Sequence, residues 1–231
     1  MDKQAFYSLF RENITLNGLN IYITENIMPQ FYELTCRMME KNAVMNITAI
    51  REVEKIIPLH YADCMAIAQY IPQNAQVMDV GCGGGFPTLP LAIIRPDIQM
   101  TAIDSTEKKV NYVQETADAM GLRVHTLAAR AEELARDPAY RERFDVVTSR
   151  AVARLNLLDE LCLPFLKVDG QAVIMKGAAG DQEVAEAQSG ILTLGGQIKH
   201  VINNQLALSE QEKEQRTVVL IKKVSETLAK Y

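Results

Sequence analysis

The stretch Val77-Met78-Asp79-Val80-Gly81-Cys82-Gly83-Gly84-Gly85-Phe86-Pro87 restricts the possible folds of this chain more than any other. A short apolar run that ends in an acid and enters a turn of consecutive glycines reads as a buried parallel strand followed by a loop whose bare backbone can cradle a ligand. The neighbouring segments are expected to support that loop.

Downstream the hydrophobic period alternates. Strand patterns at Gln76–Val80, Gln99–Ile103, Val124–Leu127, Phe144–Ser149, Gln171–Lys176, Gln197–Val201 and Thr217–Ile221 are separated by helical ones at Pro87–Ile94, Glu107–Met120, Ala131–Arg136, Asn156–Leu166 and Asp181–Leu194. Such alternation predicts an α/β fold: a doubly wound, mostly parallel, Rossmann-like sheet of seven strands with helices on both faces. Upstream only helical spacing appears, in Phe6, Leu9 and Phe10 and again in Ile27, Phe31, Leu34, Met38 and Met39. The polar turn Pro72-Gln73-Asn74 then marks a boundary, giving an N-terminal helical subdomain over 1–72 and a ligand-binding domain over 73–231. Within the helical part, Thr48 or Asn46 is placed to cap a following helix, and Pro58 predicts a break before another that carries His60 and Asp63 on one face. Taken bare, His60 and Asp63 form a surface or capping pair; beside the glycine loop they would stand at the mouth of a site.

The loop discriminates among ligands. Gly81-x-Gly83-x-Gly85 fits the first part of a dinucleotide fingerprint, but Phe86 stands where the third glycine belongs, and no Lys-Ser/Thr follows to hold nucleotide phosphates. Asp104, ending the second strand, stands where a carboxylate can accept both hydroxyls of a ribose, or else caps the helix that starts near Glu107. A glycine cradle and a ribose acid without a phosphate site suit S-adenosylmethionine, which has an adenosine and an amino-acid end but no phosphate. The cysteines Cys36, Cys64, Cys82 and Cys162 are scattered, with no paired or metal-ligand spacing, so reduced thiols and no metal are expected.

Taken together, Asn46-Ile47-Thr48-Ala49-Ile50, His60-x-x-Asp63, the glycine loop through Pro87, Asp104-Ser105, Arg130-Ala131-Glu132, Ser149-Arg150-Ala151 and Met175-Lys176-Gly177 resemble the bacterial RsmG family, also called glucose-inhibited division protein B. The resemblance runs in one order from about Tyr32 to Gly177. It implies a methyltransferase acting on N7 of a guanine in small-subunit (16S) ribosomal RNA. It further implies that Gly81 and Phe86 line the donor pocket, to which the loop spacing and the strand end add Gly83 and Asp104, that Ala131 and Glu132 contact the adenine, and that Arg150 lies beside donor and target. Lys176, His60 and Asp63 are then expected on the substrate side. This chain departs from the family pattern in having Cys82 for Ser or Thr, Thr88 for Gly, and no Trp before the Asn-Ile-Thr motif. Thr88 adds a side chain at the start of the helix after the loop.

No general base is required of such an enzyme, because the N7 lone pair is free at neutral pH and positioning against the methyl carries the reaction. Phe86 and Tyr112 are candidates for stacking on a base. The net charge of −5 argues against indiscriminate nucleic-acid binding. A folded RNA or ribosomal particle meeting a local basic rim is therefore expected; Arg123, Arg150, Arg154 and Lys176 are the rim candidates, with Lys222 and Lys223 as further surface charges. No window approaches the roughly 18 apolar residues of a membrane span, and Met1-Asp2-Lys3-Gln4 lacks a signal-peptide layout, so a cytoplasmic protein is expected, and it is taken as a monomer. The same donor fold acting on a small molecule, or a donor-binding regulatory module without activity, are the competing readings.

Overall fold

The computed structural model describes residues 2–231. Seven strands form one sheet: β1 (Gln76–Val80), β2 (Gln99–Asp104), β3 (Val124–Ala128), β4 (Phe144–Arg150), β5 (Leu166–Lys176), β6 (Gly196–Ala207) and β7 (Lys213–Lys223), in the order β3-β2-β1-β4-β5-β7-β6. The pairs from β3 through β5 are parallel, while β7 is antiparallel to both β5 and β6. The predicted sheet is thus present, with an antiparallel hairpin at one edge.

Strand β1 shows how the two faces are built. Side chains alternate across a strand, so Val77 joins one apolar cluster while Met78 and Val80 join the other. The first cluster is covered by α1 (Lys3–Leu16), α2 (Ile27–Asn42), α5 (Thr88–Ile94) and α6 (Glu107–Ala119), through residues such as Phe10, Phe31, Leu89 and Val113. The second is covered by α7 (Ala131–Leu134), α8 (Leu155–Cys162) and α9 (Gly180–Thr193), through Ala131, Leu158, Cys162, Ala187 and Ile191. Phe6 of α1 and Leu220 of β7 belong to the same cluster, so the N-terminal helices share a continuous core with the sheet.

Two expectations are corrected here. Pro58 widens its helix instead of breaking it: α3 (Val53–Ile56) runs through a π-helical turn, Ile57–Ala62, into α4 (Asp63–Met65). Proline has no N–H to continue the ladder, and the Asp63 amide bonds the Pro58 carbonyl five residues back. The β6–β7 hairpin also extends well beyond its predicted cores, because its outer half is polar and carries little apolar alternation. That half is tied to α1 instead: Asn17 donates to the Ala207 carbonyl at 3.0 Å and accepts from its amide at 2.9 Å. Among the described residues no helix is long and apolar enough to cross a membrane, and no cluster of potential metal ligands occurs.

Candidate functional site

Strand β1 has parallel neighbours on both sides, and the chain moves outward to β2 and β3 before returning across it to β4. That reversal leaves a crevice at the carboxyl ends of the strands, the usual ligand position in such sheets. The glycine loop lies there. The Gly81 and Cys82 amides donate to the Ile103 carbonyl at 2.8 and 2.9 Å, tying the loop to the end of β2. Gly81, Gly83 and Gly85 have φ of 75°, 53° and 90°, values that disfavour a side chain. Each glycine meets a different surrounding. A Cβ on Gly84 would lie 2.7 Å from Ile47 Cγ2 and one on Gly81 would lie 2.3 Å from Val152 Cγ2, whereas at Gly83 the nearest atom is 4.0 Å away. Gly83 therefore exposes its bare backbone to the crevice.

Asp104 is fastened to this loop. Its Oδ2 accepts from the Gly83 amide at 3.0 Å and its Oδ1 from the Thr106 amide at 2.8 Å. Each carboxylate oxygen can accept a second bond, so the group is oriented yet not exhausted as an acceptor. Thr88, the departure expected to affect loop shape, turns away from the crevice. Fully buried, it donates its hydroxyl to Asp79 Oδ2 at 2.5 Å, while Thr148 donates to Oδ1 at 3.0 Å. Burial raises Asp79 to about 6 against the pull of those two hydroxyls.

The crevice encloses about 400 Å³, within the usual size range of a small-molecule site. Gly81, Gly83, Asp104, Ala131 and Glu132 line it together with Phe86, His60 and Arg150, so most of the predicted site residues converge. Phe86 stacks on His60 with ring centroids 4.3 Å apart and planes 9° from parallel, and the Arg150 guanidinium lies 5.4 Å from the Phe86 centroid. Phe86 is thus a wall already faced by protein groups. Tyr112 is buried elsewhere and does not line the crevice.

Arg150 is less available than expected. It donates to the Leu59 carbonyl at 2.8 Å, to Asp63 Oδ2 at 3.2 Å and to His60 Nδ1 at 2.9 Å. Asp63 Oδ1 accepts from Arg216 Nε at 3.2 Å, so the acid bridges two guanidiniums behind the crevice and does not line it. Burial raises the Asp63 pKa, and Arg150 and Arg216 oppose that shift. His60 is lowered to about 3 by burial first and by the Arg150 charge second, which leaves a neutral imidazole.

The expected basic rim does not assemble as free charge. Lys176 is absent from the lining because it is bonded to the Ala153 carbonyl and paired with Glu183 at 2.7 Å. Arg154 pairs with Glu186 at 2.5 Å, and Arg123 precedes β3 at the opposite end of the sheet. Lys223 is fully buried against the Leu163 carbonyl and Thr227. Besides Arg150, the basic side chains on the crevice wall are Lys109 and Arg130, the latter 3.4 Å from Glu132.

Sequence reasoning assigned Thr48 only a capping role, and it missed Asn42. Thr48 lines the crevice, its Oγ1 accepting from the Ile50 amide at 3.1 Å before the helix begins. Asn42, at the end of α2, accepts from the Ile47 and Thr48 amides at 2.7 and 3.1 Å and donates to the Thr48 carbonyl at 3.0 Å. This clasp presses Ile47 onto Gly84. The only sequence signal was the Asn-Ile-Thr motif itself; nothing local connects it to Asn42.

Comparisons with known proteins agree with this geometry. Solved structures with a similar fold include M. jannaschii TYW2 in complex with AdoMet, with a TM-score of 0.58 and 16% identity over 79% of this chain and 80% of that one. Another is a SAM-dependent methyltransferase from Methanosarcina mazei, with a TM-score of 0.54 and 14% identity over 70% of this chain and 98% of the other. At these identities they speak for the fold. In sequence, the chain is 40% identical to the ribosomal RNA small subunit methyltransferase G of Brevibacillus brevis, covering 96% of this chain and 92% of the relative. It is 36% identical to the protein of the same description from Clostridium novyi, covering 99% and 93%. The family model GidB, described as rRNA small subunit methyltransferase G, matches residues 26–217. Fold, crevice and sequence therefore agree, and the chain belongs to the rRNA small subunit methyltransferase G family.

Proposed function

We propose that this protein transfers the methyl group of S-adenosylmethionine to N7 of a guanine in small-subunit (16S) ribosomal RNA. The observation that carries the reading is the coupling of Gly83 and Asp104: a bare-backbone turn and a carboxylate oriented by it, side by side at the sheet's reversal point. This pairing fits an adenosine ligand, with Asp104 accepting the ribose hydroxyls and Ala131 and Glu132 beside the base. Gly81 and Gly83 leave room for close approach, and Phe86 forms the wall towards the target. In this reading residues 73–231 hold the donor, and residues 1–72 close the crevice through Ile47, Thr48 and His60.

The donor supplies an electrophilic methyl carbon on a sulfonium. Transfer of that methyl to the N7 lone pair would break the carbon–sulfur bond and pass the positive charge from sulfur to the purine. No proton leaves N7, so the chain's task is to align the two reactants and exclude water. Neutral His60 suits a site in which the base becomes cationic. Arg150, with its guanidinium held by Asp63, His60 and the Leu59 carbonyl, acts as a positioning residue. Lys176 and Asp63 likewise support the walls from behind. The substrate is read as the small ribosomal particle, with the protein acting as a monomer and without a metal.

The test is to incubate protein and donor with unmethylated small subunits and map 7-methylguanine by borohydride reduction and aniline cleavage. A single new cleavage site is expected. No cleavage above a control lacking enzyme refutes the proposal.

A further inference from the structure

The hydrogen bonds around His60 have a direction, and following it identifies a group that reads the target base. Arg150 can only donate, so His60 Nδ1, 2.9 Å from Nη2, must accept. A neutral imidazole then carries its proton on Nε2, and that N–H donates to Thr48 Oγ1 at 2.8 Å. Thr48 Oγ1 also accepts from the Ile50 amide at 3.1 Å. Both lone pairs of the hydroxyl are used by these two donors. Its own proton has no protein acceptor among the hydrogen bonds of the described residues, and Thr48 lines the crevice.

We propose that Thr48 is a specificity residue that donates a hydrogen bond to O6 of the target guanine. This rests on the guanine-N7 reading above. Beside N7, guanine presents the acceptor O6 whereas adenine presents an amino donor. An ordinary threonine hydroxyl can turn to suit either partner. Here Arg150 and His60 remove that freedom, leaving a hydroxyl that can only donate, so it accepts guanine and opposes adenine. A site built to hydrogen-bond one group rejects an analogue lacking it far better than an apolar pocket does, because a buried polar group is left unpaired. The hydroxyl is also uncharged and sets no positive charge against the ring that becomes cationic. The Asn42 clasp on the Ile47 and Thr48 amides holds it in place.

The test pairs two enzymes with two substrates. Small subunits are assembled on RNA carrying either guanine or 2-aminopurine, which keeps N7 and lacks O6, at the target position. Single-turnover methyl transfer is measured for wild type, Thr48→Val and Thr48→Ser. Wild type is expected to prefer guanine by roughly tenfold, the size of one hydrogen bond of about 1.4 kcal/mol. Thr48→Val should bring that ratio near one, and Thr48→Ser should restore it. Donor affinity by calorimetry should stay within about twofold across the three. An equal guanine preference in wild type and Thr48→Val overturns the inference, as does a tenfold loss of donor affinity in Thr48→Val, which would place the hydroxyl on the donor. A wild type with no preference overturns it without any variant, should Thr48→Val fail to fold. Failure of the wild type to methylate guanine at all is a separate result and overturns the reaction itself.

Discussion

Arg150→Ala is expected to unfold the wall of the crevice before it reveals anything about catalysis. The side chain is 16% exposed and its partner Asp63 10%, so both charges of the pair lie largely out of water. Truncation leaves the Leu59 carbonyl and His60 Nδ1 without their donor and leaves Asp63 with Arg216 alone. Breaking a buried pair by removing one partner costs about 3–5 kcal/mol. Because Arg216 remains, the lower end applies, about 3 kcal/mol. In urea, at a slope of about 1–3 kcal/mol/M, the midpoint should fall by roughly 1–3 M with the slope unchanged. Asp63→Asn combined with Arg150→Ala should cost less than the sum of the two single changes, since the unpaired acid is gone in the double variant. A loss under about 1 kcal/mol in Arg150→Ala, or strict additivity in the cycle, would refute the network as drawn.

Other perturbations separate donor binding from stability. Gly83→Ala puts a methyl group into the open crevice at a φ of 53°, so calorimetry should show at least tenfold weaker donor binding, at a stability cost of roughly 1–2 kcal/mol. Gly84→Ala must displace Ile47, and should lower both the melting temperature and donor affinity. Thr88→Val removes a donor from buried Asp79, and chemical denaturation should show a loss of about 1–3 kcal/mol. Asp159 tests linkage: it is 2% exposed, its Oδ2 has no partner, and burial raises it to about 8. The native state therefore keeps a proton that the unfolded chain releases near pH 4. That stabilisation is complete at low pH and is lost as pH rises towards 8. Asp159→Asn removes this dependence, so relative to wild type it should gain up to about 4 kcal/mol between pH 5 and pH 8; parallel pH profiles would show that Asp159 titrates normally.

How far the sequence could be read depended on how local each signal was. The strand cores of β1 to β4 lie within a residue of their expected positions, because buried parallel strands are continuous apolar runs bounded by turns. The outer half of the β6–β7 hairpin carried no such run, and its anchors at Asn13 and Asn17 lie nearly 200 residues away. The glycine loop and Asp104 were legible for the same local reason: a strand end, a bare turn and an acid at a set spacing leave few alternatives; Ala131 and Glu132, which start a helix, were pointed to only by the family resemblance. Charged side chains were not. Arg150 and Lys176 each end a strand on one rim, yet Arg150 is held by Asp63 and His60 while Lys176 is held by Glu183. Which carboxylate meets which cation depends on packing between distant segments, and no local pattern encodes it.

The sequence alone was therefore enough for the order of elements and the glycine loop, which follow from side-chain periodicity and backbone freedom within short windows, and for the family resemblance, which rests on short motifs in a fixed order. The availability of each polar group came from the assembled fold. Thr48 has the same hydroxyl in any chain, but it becomes an obligate donor only where the Ile50 amide and His60, the latter oriented by Arg150, use both of its lone pairs while Asn42 holds its backbone in place.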